Sequence, residues 1–243
     1  MKTTIIAEIG SNWEGNLDIA KKIILECKRA GADAVKFQMW RAKDLYSKTH
    51  PDWVTIRKSE LTFKKAEKIK KISDNLGIEF MCSAFYPEAV QFLESLDVQR
   101  YKIASRTCLL KDPFSRETLE NKAKTKKSMI ISMGMGGDKK KIQKIFLKNK
   151  IIFCYCISEY PLEFNKINWK KAVNYDGFSD HTMGITAPIL FTILKKQKKS
   201  KEIIIEKHIK LQNSKGPDAS TSIDTTQLSI LISHIRLIEK TNL

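Results

Sequence analysis

Eight times along this chain a short apolar, β-rich run gives way to a stretch of helical periodicity, and this alternation limits the fold more than any other feature. The strands read as 3–10 (TTIIAEIG), 32–38 (ADAVKFQ), 78–85 (IEFMCSAF), 98–105 (VQRYKIAS), 128–134 (SMIISMG), 151–158 (IIFCYCIS), 175–180 (YDGFSD) and 202–208 (EIIIEKH). Helical patterns lie at 17–31, 61–77, 87–96, 113–124, 138–149, 186–197 and 224–240, with an irregular segment and a short helix around Trp169 after the sixth strand. Gly31 and Gly77 are stop signals. Pro87 and Pro113 are start signals. Short, mostly apolar strands suit a sheet covered on both faces. Eight β/α units in 243 residues predict an α/β fold, a (β/α)8 TIM barrel forming a single domain over 1–243. An open doubly wound sheet usually carries a Gly-rich phosphate loop after its first strand. The segment EIGSNWEGN at 8–16 is not G-x-G-x-x-G.

A hydrophobic content of 42% supplies one sizeable core for such a domain. No apolar stretch approaches the ~20 residues needed to span a bilayer. The opening MKTTIIAEIG begins like a strand and lacks a signal-peptide layout. The expectation is a soluble cytoplasmic protein with no membrane partner. Cysteines 27, 82, 108, 154 and 156 are odd in number and do not form a disulfide framework, so they read as buried thiols. The net charge of +17 comes from lysines interleaved with apolar residues at helical spacing. That pattern describes solvated helix faces. With no zinc finger, RNP-type strand or helix-turn-helix signature, no nucleic-acid partner is expected.

Barrel chemistry sits at the C-terminal ends of the strands. Here those ends carry Glu8; Lys36 and Gln38; Ser83; Lys102 and Ser105; Ser132; Ser158 and Tyr160; Ser179, Asp180 and His181; and Glu206 and His208. Any one ionisable residue in an apolar strand can belong to a structural ion pair. A polar group on all eight strands points instead to a functional ring. Two lysines and several serine hydroxyls suit an anion such as phosphate or carboxylate. His181 and His208 end neighbouring strands and suit a divalent metal with open positions. An anion site beside a metal site suggests a phosphorylated substrate meeting an activated carbonyl. His50 and His234 lie away from strand ends.

The segments AEIGSNWEGN, GADAVKFQ, YKIAS, ISMGM, SEYPL, GFSDHT, IEKH and GPDASTS resemble the sialic acid synthase family, in that family's order and across essentially the whole chain. The resemblance implies a barrel that condenses phosphoenolpyruvate with an N-acetylated amino-sugar aldehyde, N-acetylmannosamine or a relative. A nonulosonic acid forms and phosphate is released. It implies Mn2+, or Mg2+ or another divalent ion, on His181 and His208. Lys36, Lys102, Ser105, Ser132 and Ser179 match phosphoenolpyruvate-binding positions, with Ser83 and Ser158 around them. Glu8, Gln38, Tyr160 and Asp218 match positions facing the sugar or the reacting centre. Glu8, Lys36 and Lys102 are the expected catalytic residues.

The sequence departs from the family in four places. Arg106 and Thr107 follow YKIAS where a Gly and then an acid are usual, which removes a carboxylate and adds a cation. Met133 and Tyr155 replace a Thr and a His and read as packing changes. The family's C-terminal antifreeze-like domain, which supplies an Arg to the sugar across a dimer, has no counterpart among the matched segments. The expectation is a separate antifreeze-like polypeptide or a homodimer, with Arg106 as a candidate local cation. A barrel that has given up catalysis, or a synthase of another aldehyde, would share much of this pattern.

Overall fold

The computed structural model describes residues 1–214, 216 and 218–242. Pro217 of the GPD segment and Leu243 at the end of the expected domain lie outside the described residues. Eight strands form the barrel wall: β1 Lys2–Glu8, β2 Ala34–Met39, β3 Glu79–Ala84, β4 Arg100–Ile103, β5 Ser128–Ser132, β6 Ile151–Cys156, β7 Gly177–Asp180 and β8 Glu202–Lys210. The helices are α1 Leu17–Ala30, α2 Ala42–Leu45, α3 Trp53–Lys58, α4 Phe63–Asn75, α5 Pro87–Ser95, α6 Ser115–Lys124, α7 Lys139–Ile145, α8 Trp169–Ala172, α9 Thr186–Gln197 and α10 Thr225–Lys240. The described ladders are all parallel and run β3-β2-β1-β8-β7-β6-β5-β4. This is the expected single-domain (β/α)8 barrel. Among the described residues, no helix is long and apolar enough to cross a membrane.

Alternation along the strands sends one set of side chains inward and the other toward the helices. Ile6, Ala34, Met81, Ile130, Cys154 and Ile204, from six strands, fill the barrel floor as one apolar cluster. The opposite parity, including Ile5, Val35, Phe37, Tyr101, Ile131, Phe178 and Ile205, packs in the main core with the helices. The floor plug is what raises the next inward layer, the polar one, to the mouth.

Among the described residues no ladder joins β3 to β4, and side chains bridge that seam. The Arg100 guanidinium forks onto Glu79 at 2.8 and 2.6 Å. Lys122, from α6, is fully buried and donates to the Ala84 carbonyl at 2.8 Å. Burial pushes its ammonium down to about 7. Lys122, Lys195 and Lys207 therefore depart from the expectation of solvated lysine faces, since all three are buried.

Several boundaries also differ. Pro113 lies just outside α6. β8 runs past His208 and pairs with a two-residue strand, β9 Ile223–Asp224. α2 and α3 fill the connection after β2, where sequence periodicity was silent.

β1 stops at Glu8 because the chain turns at Gly10, where φ is +52°. A Cβ on Gly10 would stand 2.5 Å from Asp218 Oδ2 and 3.4 Å from Glu8 Oε1. Left-handed backbone plus that clash makes Gly10→Ala cost about 2 kcal/mol, enough in a chain this size to lower the melting temperature by about 4–8 °C. Scanning calorimetry checks this, and an unchanged melting temperature would contradict it.

Candidate active site

The inward layer above the floor holds two lysines and two glutamates in direct contact. Lys36 Nζ lies 2.6 Å from Glu8 Oε2 and 3.6 Å from Glu206 Oε2. Lys102 Nζ lies 3.2 Å from Glu206 Oε1. Both ammonium groups thus converge on the Glu206 carboxylate. Register explains the meeting: Glu8 pairs with Lys36 across β1/β2 and with His208 across β1/β8, while Ser179 pairs with Glu206 across β7/β8.

Hydroxyl groups line the same layer. Lys102 donates to Ser132 Oγ at 2.7 Å, Ser132 Oγ donates to Ser179 Oγ at 3.0 Å, and Ser179 Oγ donates to Glu206. Lys36 reaches Ser83 Oγ at 3.5 Å. Gln38 Nε2 donates to Glu8 Oε1 at 2.6 Å. Ser105 Oγ accepts from the Gly134 amide at 2.9 Å. A Cβ at Gly134 would sit 2.8 Å from both Cys156 Sγ and Ser158 Oγ, so glycine lets these strand ends close together. Among the described residues, buried Ser158 Oγ has no hydrogen-bond partner.

Burial sets the electrostatics. It pushes the Glu8 carboxyl up to about 7, against the pull of Lys36 and with a further push from Glu206. Burial acts the same way on Glu206, but Lys102, Lys36 and the Ser179 hydroxyl overcome it and hold that carboxyl well below the usual range. Burial alone would lower Lys36; Glu206 and Glu8 instead hold its ammonium well above its ordinary value.

The two histidines face each other beside this cluster, ring centroids 5.5 Å apart. His181 Nδ1 contacts the Ile157 carbonyl at 2.7 Å, and its ring also meets the Cys156 thiol. Among the described residues, buried His208 Nδ1 has no hydrogen-bond partner. Burial pushes the His208 imidazole down, opposed by Asp218 and Glu206. An orphaned buried nitrogen facing a second imidazole fits a divalent cation. Among the described residues no group of three or more His, Cys, Asp or Glu is placed to hold a metal, so these two side chains would be the histidine donors, with the other positions open.

Tyr160 is 53% exposed and lays its ring 4.2 Å from that of His181 and 6.1 Å from that of His208. Asp218 Oδ2 accepts from the Ser11 amide at 2.9 Å, at the outer edge of the layer. Glu8, Lys36, Gln38, Ser83, Lys102, Ser132 and Ser179 therefore form one contact network. Ser105, Ser158, Tyr160, His181, His208 and Asp218 stand around it.

Two residues differ from expectation. All five cysteines are free, but Cys156 is only half-buried and turns to the site, 3.6 Å from Ser105 Oγ. Against burial, His181, Ser105 and Lys102 hold its thiol below the ordinary value. Arg106 is committed elsewhere: its fork grips Asp112 at 2.7 and 2.8 Å and donates to the Leu45 carbonyl at 3.1 Å. Met133 packs against the main core. Tyr155 stacks on Phe178 and accepts from the Asn168 amide at 3.0 Å. Glu206 is the residue sequence reasoning left without a role, although its parity with His208 marks it as inward.

The eight-stranded parallel wall places this chain in the class of (β/α)8 barrels. Within it, this chain belongs to the NeuB family, whose model matches residues 23–242. An uncharacterized protein of Methanocaldococcus jannaschii is 34% identical over 251 residues, covering 98% of this chain and 71% of the relative. The N,N'-diacetyllegionaminic acid synthase of Legionella pneumophila is 30% identical over 268 residues, covering 97% and 72%. The N-acetylneuraminic acid synthetase of Leptospira borgpetersenii, solved with citrate, superposes with a TM-score of 0.86 at 27% identity, covering 99% of this chain and 85% of that one.

Proposed function

We propose that the protein condenses phosphoenolpyruvate with an N-acetylated amino-sugar aldehyde, N-acetylmannosamine or a relative, to give a nonulosonic acid and inorganic phosphate. The observation that carries this reading is the convergence of Lys36 and Lys102 on one buried carboxylate, at 3.6 and 3.2 Å. Two desolvated ammonium groups with hydroxyl donors beside them suit a small molecule bearing both phosphate and carboxylate. The names of the synthase relatives support the same substrate class.

In this reading Lys36 and Lys102 hold the phosphate and carboxylate of phosphoenolpyruvate. Ser105, Ser132 and Ser179 turn their hydroxyls to its oxygens. Ser83 and Ser158 border the same space. The new bond joins C3 to the aldehyde carbon. Water adds at C2, and the C2–O bond breaks as phosphate leaves. The lysines are in place before charge develops, so no reorganisation is needed during reaction. Glu8, raised to about 7, holds or gives up a proton beside Gln38. Tyr160 and Asp218 bound the sugar side. A divalent ion, Mn2+ or Mg2+, held by His181 and His208 would supply Lewis acidity at the aldehyde oxygen.

The test is phosphate release from phosphoenolpyruvate with Mn2+ across N-acetylmannosamine, its 6-phosphate and the diacetamido sugars, each with and without chelator. Sugar-dependent, chelator-sensitive release is expected from at least one. Release that ignores the sugar, or none from folded protein with any of these sugars, would overturn the reading.

A further inference from the structure

Behind the histidine pair, on the helix-facing side of the wall, lies an ion pair that the proposed chemistry does not use. Asp180 and Lys207 have fully buried side chains and meet at 2.7 Å. Their strands pair Asp180 with Lys207 as the last rung of the β7/β8 ladder. His181 is the first residue beyond that rung. β8, in contrast, stays paired at His208 through Glu8 of β1. The ladders therefore fix His208, while the β7/β8 ladder stops one residue short of His181, whose carbonyl accepts instead from the Leu162 amide at 2.9 Å and the Thr221 hydroxyl at 2.8 Å.

Side chains take over where the ladder ends. Lys207 Nζ donates to the Thr182 carbonyl as well as to Asp180. Asp180 accepts from the Thr182 amide at 2.9 Å and from its hydroxyl at 3.1 Å. The residue after His181 is thus tied to the β8 residue before His208. A buried ion pair is often no more stabilising than an apolar pair of the same volume. Stability alone is a weak reason for this one.

We propose that the buried Asp180–Lys207 pair, acting through Thr182, is the positioning element that sets the spacing of His181 and His208. The proposal rests on the reading of those histidines as a working pair. It makes Asp180 and Lys207 positioning residues, with no contact to substrate.

The test compares Lys207→Met, Asp180→Asn and the double variant with the wild type. Lys195→Met serves as a control for loss of a buried lysine remote from the histidines. Each single variant leaves a buried charge without its counter-charge, and its melting temperature is expected to fall. The double variant is expected to regain most of that loss. Its Mn2+ affinity, read by EPR titration, is expected to stay at least tenfold weaker than wild type, in line with the 10–100-fold typical of outer partners of metal ligands. The visible spectrum of its Co2+ form is expected to change as well. A double variant with wild-type Mn2+ affinity and Co2+ spectrum would overturn the proposal. If the wild-type protein and its His208→Ala variant take up Mn2+ alike, the metal reading fails instead. The positioning test then passes to the imidazole 1H–15N signals of the metal-free protein. There the single His181 signal is expected to broaden or split in the double variant, and an unchanged signal would overturn the proposal.

Discussion

Lys102→Met is expected to lower kcat/KM for phosphoenolpyruvate by about a thousandfold, as loss of one preorganised charge donor typically does. Lys102 is buried, donates to Ser132 and bridges to Glu206. Removing its ammonium takes away half of the positive charge facing the substrate anions. It also leaves Glu206 as a less balanced neighbour of a phosphate. The fold is expected to survive, because Glu206 keeps Lys36 at 3.6 Å and the Ser179 hydroxyl. Breaking a buried pair outright costs about 3–5 kcal/mol, and the retained partners place this variant at the lower end. Lys36→Met is the poorer test, since it strands Glu8 and Glu206 together. Steady-state phosphate release and a calorimetric affinity for phosphoenolpyruvate check the expectation. Kinetics within threefold of wild type would contradict it.

Binding of phosphoenolpyruvate is expected to take up protons, at most about half of one at pH 7 and approaching one above it, and to weaken as pH rises above 7. Glu8 carries a folded-state value raised to about 7. Its contribution to stability is therefore full below the ordinary carboxyl range and is lost as pH climbs through 7. Glu206 acts in the opposite sense: its lowered carboxyl contributes above the ordinary range, and the contribution is lost as pH falls below it. An anion entering beside Lys36 competes with Glu8 for the same ammonium, so it favours protonated Glu8. Linkage then requires that the proton favour the anion in return. Phosphate esters have their second ionisation near about 6, so the slope above 7 belongs to the protein. Affinity is expected to fall by up to about tenfold per pH unit there, the limit for one linked proton. Titration calorimetry in buffers of different ionisation enthalpy measures the uptake, and Glu8→Gln should abolish it. Binding without proton uptake in the wild type would contradict this picture.

Much of the site was legible in the sequence because strands have a period of two. Once the strand ends were placed, Glu8, Lys36, Lys102, Ser132, Ser179 and His208 followed as one rim. The same period carried information that residue type alone concealed. Glu206 and His208 share a parity, while Lys207 between them has the other. IEKH therefore held both an inward acid and an outward lysine. The buried lysines were illegible for a different reason. Lys122 and Lys195 sit in helices rich in solvated lysine, and only the seam at β3/β4 and the segment leading into β7 reveal what they reach. Arg106 read as a free cation because its partner, Asp112, is joined to it by a turn with no periodic signature. α2 and α3 are too short for amphipathic spacing to stand out.

The proposed reaction makes a carbon–carbon bond at C3 of phosphoenolpyruvate. The most direct measurement supplies 3-13C-labelled phosphoenolpyruvate, the accepted amino-sugar aldehyde and Mn2+, and follows the labelled carbon by NMR. The vinyl signal is expected to convert to the methylene signal of a 3-deoxy-2-ulosonic acid, one product for each phosphate released. Conversion to the methyl signal of pyruvate, with the sugar unchanged, would contradict the claim.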